Sequence, residues 1–173
     1  MIWWHVALAA VGVGIVLAIL AAALRRDGIA LPIIAVPLGV LALRILEVPE
    51  PNAVWFTPLL TIGLVALATA GGGPLVAFMF TVITLRDRKH GRKREEREVL
   101  RGGAPIGYLE RFGLIGAVLV GQPGAVAIIV AIKGLGRFTE LDSAAARERF
   151  IIGTLGSLTW AATCAAAVVG TWA

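Results

Sequence analysis

Four charged side chains stand inside otherwise apolar stretches: Glu110, Arg111, Lys133 and Arg137. In hydrocarbon a lone charge must pair, snorkel or face a polar cavity. This carboxylate and these three cations could therefore tie helices together, hold an anion, or line a path for an ion. Spacing favours pairing. Pro105 to Val120 and Gly124 to Phe138 are apolar segments joined by Gly121-Gln122-Pro123, a pattern that predicts a helical hairpin. At about 1.5 Å per residue, Glu110 and Lys133 each lie about 17 Å from the tip at Gln122. The register predicts a contact between Glu110 and Lys133 or Arg137.

A second feature is Gly71-Gly72-Gly73-Pro74. Glycine and proline do not sustain regular helix, so the sequence predicts a helix break there. Discontinuous helices and midplane charges accompany transport sites. Other chemistry finds little support. His5 and His90 are far apart, there is no HExxH or paired-cysteine motif, and no metal or cofactor is expected. Ser143 and Ser157 have no histidine partner. Glu110 with Glu140 and Asp142 is the only acidic grouping that an enzyme acting on lipid headgroups could use.

These residues need elements to carry them, and composition says which. Of 173 residues, 58% are apolar and 16% charged, and mean hydropathy is +0.88. A soluble globule of this size would expose a large apolar surface, and disorder requires the opposite composition. The single cysteine, Cys164, excludes a disulfide scaffold. The pattern predicts an all-α, polytopic membrane protein forming one transmembrane domain over residues 1–173. Six spans of roughly 20 residues are expected: Trp3 to Leu24, Ile29 to Leu46, Trp55 to Ala70, Pro105 to Val120, Gly124 to Phe138 and Phe150 to Trp172. The third is the broken one, with Leu75 to Leu85 lying at the interface or dipping back in.

Lysine and arginine mark the cytoplasmic side. All except Arg44 and Arg111 fall on one side if the chain crosses six times with both termini outside. Trp3, Trp4, Trp55 and Trp172 then lie at the outer boundary, where indoles prefer to sit. Arg25-Arg26 follows the first apolar stretch, which fits a reverse signal anchor better than a cleaved leader. Residues 86–103 form a basic cytoplasmic loop. Its cations Arg86, Arg88, Lys89, Arg92, Lys93 and Arg94 are candidates for anionic-lipid contact, although Asp87, Glu95, Glu96 and Glu98 offset many of them. Without interleaved aromatics the run does not read as a nucleic-acid site.

Small residues recur in the spans, among them Gly113 with Gly116 and Gly153 with Gly156, beside Thr154 and Ser157. They predict close helix packing and interhelical hydrogen bonds, within one chain or between copies. The partners expected are the bilayer, anionic lipids, and a second copy or another membrane protein.

The stretches Ile106-Gly107-Tyr108-Leu109-Glu110-Arg111, Lys133-Gly134-Leu135-Gly136-Arg137-Phe138 and Gly153-Thr154-Leu155-Gly156-Ser157 occur in that order. Over roughly residues 103–162 the chain resembles the C-terminal membrane region of a bacterial integral-membrane family of unknown function, whose members carry I-G-x-L-E-R, K-S-I-x-R-F and G-T-L-x-S stretches. It departs from that pattern at Gly134, where serine is usual, and at Arg149, where an acid is. The resemblance implies bacterial origin and directs attention to Glu110, Arg111, Lys133, Arg137 and Thr154. The function most in keeping with all this is a structural or partner-binding component of a membrane assembly. A transporter or channel, and a lipid-headgroup enzyme, are the alternatives.

Overall fold

The computed structural model describes residues 2–89, 103–137 and 143–169. The elements are α1 (Ile2–Leu24), a 3-10 helix (Asp27–Ile34) running straight into α2 (Ala35–Ile45), α3 (Phe56–Lys89), α4 (Gly103–Leu119), α5 (Ala125–Arg137) and α6 (Ala144–Val169). No strand occurs among the described residues. Four stretches are long and apolar enough to cross a membrane: Ile2–Leu24, Asp27–Ile45, Phe56–Arg86 and Ala146–Val169. At 17 and 13 residues, α4 and α5 are shorter.

Helix α3 lies at the centre, packed on α1, the 3-10 helix, α4 and α6. Its fully buried Leu60, Leu64, Leu67 and Ala68 recur at helical spacing and form the inner stripe. Along α1 the contacts advance together: Trp4 meets Phe56, Val11 faces Gly63, and Gly14 faces Leu67. These two helices are therefore parallel. Along α6 the order reverses, with Gly153 against Phe80, Gly156 against Met79, and Trp160 against Gly71. The small residues let the side chains of the facing helix approach the backbone, as packing in lipid requires. The far side of α1 leaves Val6, Val13, Val16 and Ile19 exposed, which suits a helix with apolar solvent around it.

The third segment is not broken. Helix α3 runs uninterrupted through Gly71-Gly72-Gly73-Pro74, and the Leu75 to Leu85 piece is its direct continuation, not a separate segment that turns back. The physical reason lies in the neighbours. Pro74 has no N–H for the Ala70 carbonyl, and the two carbonyls just before that one are held from outside: Arg111 Nε donates to the Thr69 carbonyl at 2.8 Å, and Trp160 Nε1 to the Ala68 carbonyl at 3.0 Å. Glycine and proline are tolerated in spanning helices where adjacent helices supply such bonds. Gly73 also lacks the Cβ that would strike the following proline ring. At 34 residues, α3 is about 51 Å long, well beyond the roughly 30 Å of hydrocarbon.

Other boundaries move less. The first residues of the expected 86–103 loop, as far as Lys89, belong to α3, and Gly103 opens α4. Helix α6 begins at Ala144, where the Ser143 hydroxyl accepts the Ala146 N–H at 3.0 Å as an N-cap. Trp172 lies outside the described residues. The α4–α5 turn closes as a Schellman motif: Gly121 takes φ 72°, Gln122 N–H reaches the Ala117 carbonyl at 2.8 Å, and Gly121 N–H reaches Val118 at 3.1 Å.

Candidate functional site

Glu110 and Arg111 are consecutive on α4 and point to different helices. Glu110 faces α5, where Lys133 Nζ donates to Oε2 at 2.5 Å. The pair is largely buried, with Glu110 at 7% and Lys133 at 19% side-chain exposure. The Glu110 Oε1 atom is buried with no hydrogen-bond partner among the described residues. The structure thus brings Glu110 to Lys133. The Arg137 backbone ends α5, and its side chain lies outside the described part of the chain.

Arg111, 3% exposed, points the other way. Its Nε reaches the Thr69 carbonyl of α3, its Nη1 reaches Ser157 Oγ of α6 at 3.0 Å, and Cζ lies 5.1 Å from the Tyr108 ring centre. One guanidinium therefore joins α3, α4 and α6. It can do so because Gly72 has no side chain at the crossing. Its described direct contacts are a carbonyl, a hydroxyl and an aromatic face, and the nearby Glu110 carboxylate, which also acts on its charge, is spent on Lys133.

A cavity of about 580 Å³ opens beside it. Arg111, Lys133 and Arg149 are its cations, Tyr108, Thr154 and Ser157 its hydroxyl residues, and Val76, Phe80, Ile106, Ile132 and Phe150 its apolar walls. Gly72, Gly73, Gly103, Gly107, Gly136 and Gly153 make the room. The Thr154 hydroxyl is buried without a partner among the described residues. Gly71 and Pro74 are not on this wall. Gly71 instead receives Ile33 and Trp160.

A second polar cluster sits at the opposite end of the bundle. Arg44 Nε donates to the Ala167 carbonyl at 2.9 Å, and its Nη1 pairs with Glu50 at 2.6 Å. Its Cζ lies 5.1 Å from the Trp4 ring centre. Ala167 is in the last described turn of α6, so Arg44 ties α2 to the backbone of that turn. The Trp4 indole donates to the Val48 carbonyl at 3.0 Å. Sequence reasoning placed Arg44 within a span and gave it no partner. The rule that singled out Glu110 applies to Arg44 as well, with Glu50 six positions on.

Arg86 is exposed. The side chains of Arg88 and Lys89, like Arg92, Lys93 and Arg94, lie outside the described residues, as do Glu140 and Asp142. No group of three or more metal-ligating side chains occurs among the described residues. No family model, no curated protein and no solved structure matches the chain.

Proposed function

We propose that this chain is a six-span component of a bacterial inner membrane, serving as a structural, partner-binding member of a membrane assembly. The observation that carries this reading is how the intramembrane charges are used. Glu110 with Lys133 closes the α4–α5 hairpin, Arg111 ties three helices, and Arg44 ties α2 to the end of α6. Charges committed to interhelical contacts act as polar glue.

Orientation follows from the cations. Arg25, Arg26, Arg86, Arg147 and Arg149 gather at the end away from Trp4 and Phe56, which makes that end cytoplasmic and leaves both termini outside. Helix α3 then extends into the cytoplasm and presents its basic end to anionic headgroups. The α4–α5 turn contains backbone groups that need water, so its tip belongs in the outer headgroup layer, and the hairpin supplies the fourth and fifth crossings despite its short helices.

An oligomeric transporter or channel is the second reading. The cation-lined cavity favours it, but the interrupted third helix, its other support, is absent. Proteoliposomes holding the purified chain decide between the two. The structural reading expects chloride, phosphate and proton flux at the level of protein-free vesicles. Flux above that level, abolished by Glu110→Gln in a chain that still folds, would overturn it in favour of transport.

A further inference from the structure

We infer that the cavity between α3, α4, α5 and α6 is a binding site for an amphiphile carrying a phosphate-type anionic head. The inference shares the membrane placement proposed above and does not need the structural role.

Its basis is a positive charge that outruns its compensation: Glu110, the acid that acts on Arg111 electrostatically, is already paired with Lys133. A buried ion normally requires close compensation, since removing one partner of a buried pair costs about 3–5 kcal/mol. Lys133 has Glu110. Arg111, though 3% exposed, contacts no carboxylate among its described partners. It spends two of its bonds on neutral oxygens and borders the cavity. Arg149, on the same wall, makes no ion pair with a described residue. The site therefore holds an excess of positive charge in apolar surroundings. The Thr154 hydroxyl, buried and unpartnered on that wall, is a further donor awaiting an acceptor.

The shape limits the ligand. From Ser157 to Arg149 the α6 wall runs about 12 Å, with Arg111 at one level and Arg149 at the other. Guanidinium, ammonium and hydroxyl donors together suit the several oxygens of a phosphate. A free oxyanion would leave the walls at Phe80, Ile132 and Phe150 uncovered, whereas an acyl or isoprenoid chain would cover them. A volume near 580 Å³ lies within the usual range for small-ligand sites, about 300–1,000 Å³.

The test uses the whole chain in dodecyl maltoside, reading both thermal stability and the lipid retained in native mass spectrometry. The probes are dioleoyl phosphatidic acid, dioleoyl phosphatidylcholine and inorganic phosphate. Phosphatidic acid is expected to raise the melting temperature and remain bound, and the other two are not. Arg149→Gln should weaken that binding about tenfold or more. Because Arg111 also holds helices together, the blocking variants are placed elsewhere. A Cβ at Gly136 meets nothing within 4 Å, and Ile132 is 65% exposed, so Gly136→Leu and Ile132→Trp fill the cavity without disturbing the core. Both should melt like the parent without lipid and lose the response to phosphatidic acid. Equal stabilisation by phosphatidylcholine, or by inorganic phosphate alone, would overturn the proposal. So would a phosphatidic acid response that survives both blocking variants.

Discussion

The Arg111 side chain crosses α3 through the space that a Gly72 side chain would fill: a Cβ there would stand 2.5 Å from Arg111 Cδ and 2.8 Å from Nε. The guanidinium reaches the Thr69 carbonyl and Ser157 by that route. Gly72→Ala must push the arginine aside and is expected to lower stability by about 1–3 kcal/mol, as overpacking does. Gly12→Ala is the control. A Cβ at Gly12 meets nothing within 4 Å, so that change should be neutral or raise stability by up to about 1 kcal/mol through helix propensity. Thermal melting in detergent compares the two.

At the other end, Arg44 and Glu50 differ in burial, with 7% and 31% side-chain exposure. Arg44→Met removes the ion pair and the bond to Ala167, and is expected to cost about 3 kcal/mol. Glu50→Gln keeps an acceptor at a partly exposed position and should cost about 1 kcal/mol. Equal losses for the two variants in denaturant titration would mean that the Ala167 contact contributes nothing.

Helix α2 ends on a strained residue. Glu47 has φ 52° and occupies the left-handed position of a Schellman turn, with Val48 N–H bonded to the Leu43 carbonyl at 3.0 Å. That position favours glycine. Glu47→Gly is expected to raise stability by about 1 kcal/mol, relieving the penalty that a Cβ carries there. A lower melting temperature would show that the glutamate side chain makes a compensating contact.

The exposed Gln122 at the hairpin tip tests the crossing number. Gln122→Cys, in a Cys164→Ala background, should react with a membrane-impermeant maleimide added from outside the cell. Protection until the membrane is dissolved would leave four crossings and a hairpin that stops within the lipid.

Some of this molecule is readable from residue order because one helical rise governs it. The Glu110–Lys133 register needs only a hairpin with its tip at Gln122, and the four long apolar stretches follow from composition and length. The continuity of α3 does not, because residues far along the chain provide it. Thr69 is held by Arg111, 42 positions away, and Ala68 by Trp160, 92 positions away. Local propensity at Gly71-Gly72-Gly73-Pro74 points to a break, and tertiary hydrogen bonds override it. The third helical tie, from Arg44 to Ala167, spans 123 positions and has no local signature beyond a cation in an apolar stretch.

Charge exchange between Glu110 and Lys133 is the most direct measurement of whether the intramembrane charges hold the bundle together. Glu110→Lys and Lys133→Glu should each lower stability by at least about 3 kcal/mol, as a broken buried pair does. The double variant Glu110→Lys/Lys133→Glu should recover most of that loss in the same melting assay. A double variant as damaged as either single one would contradict the account.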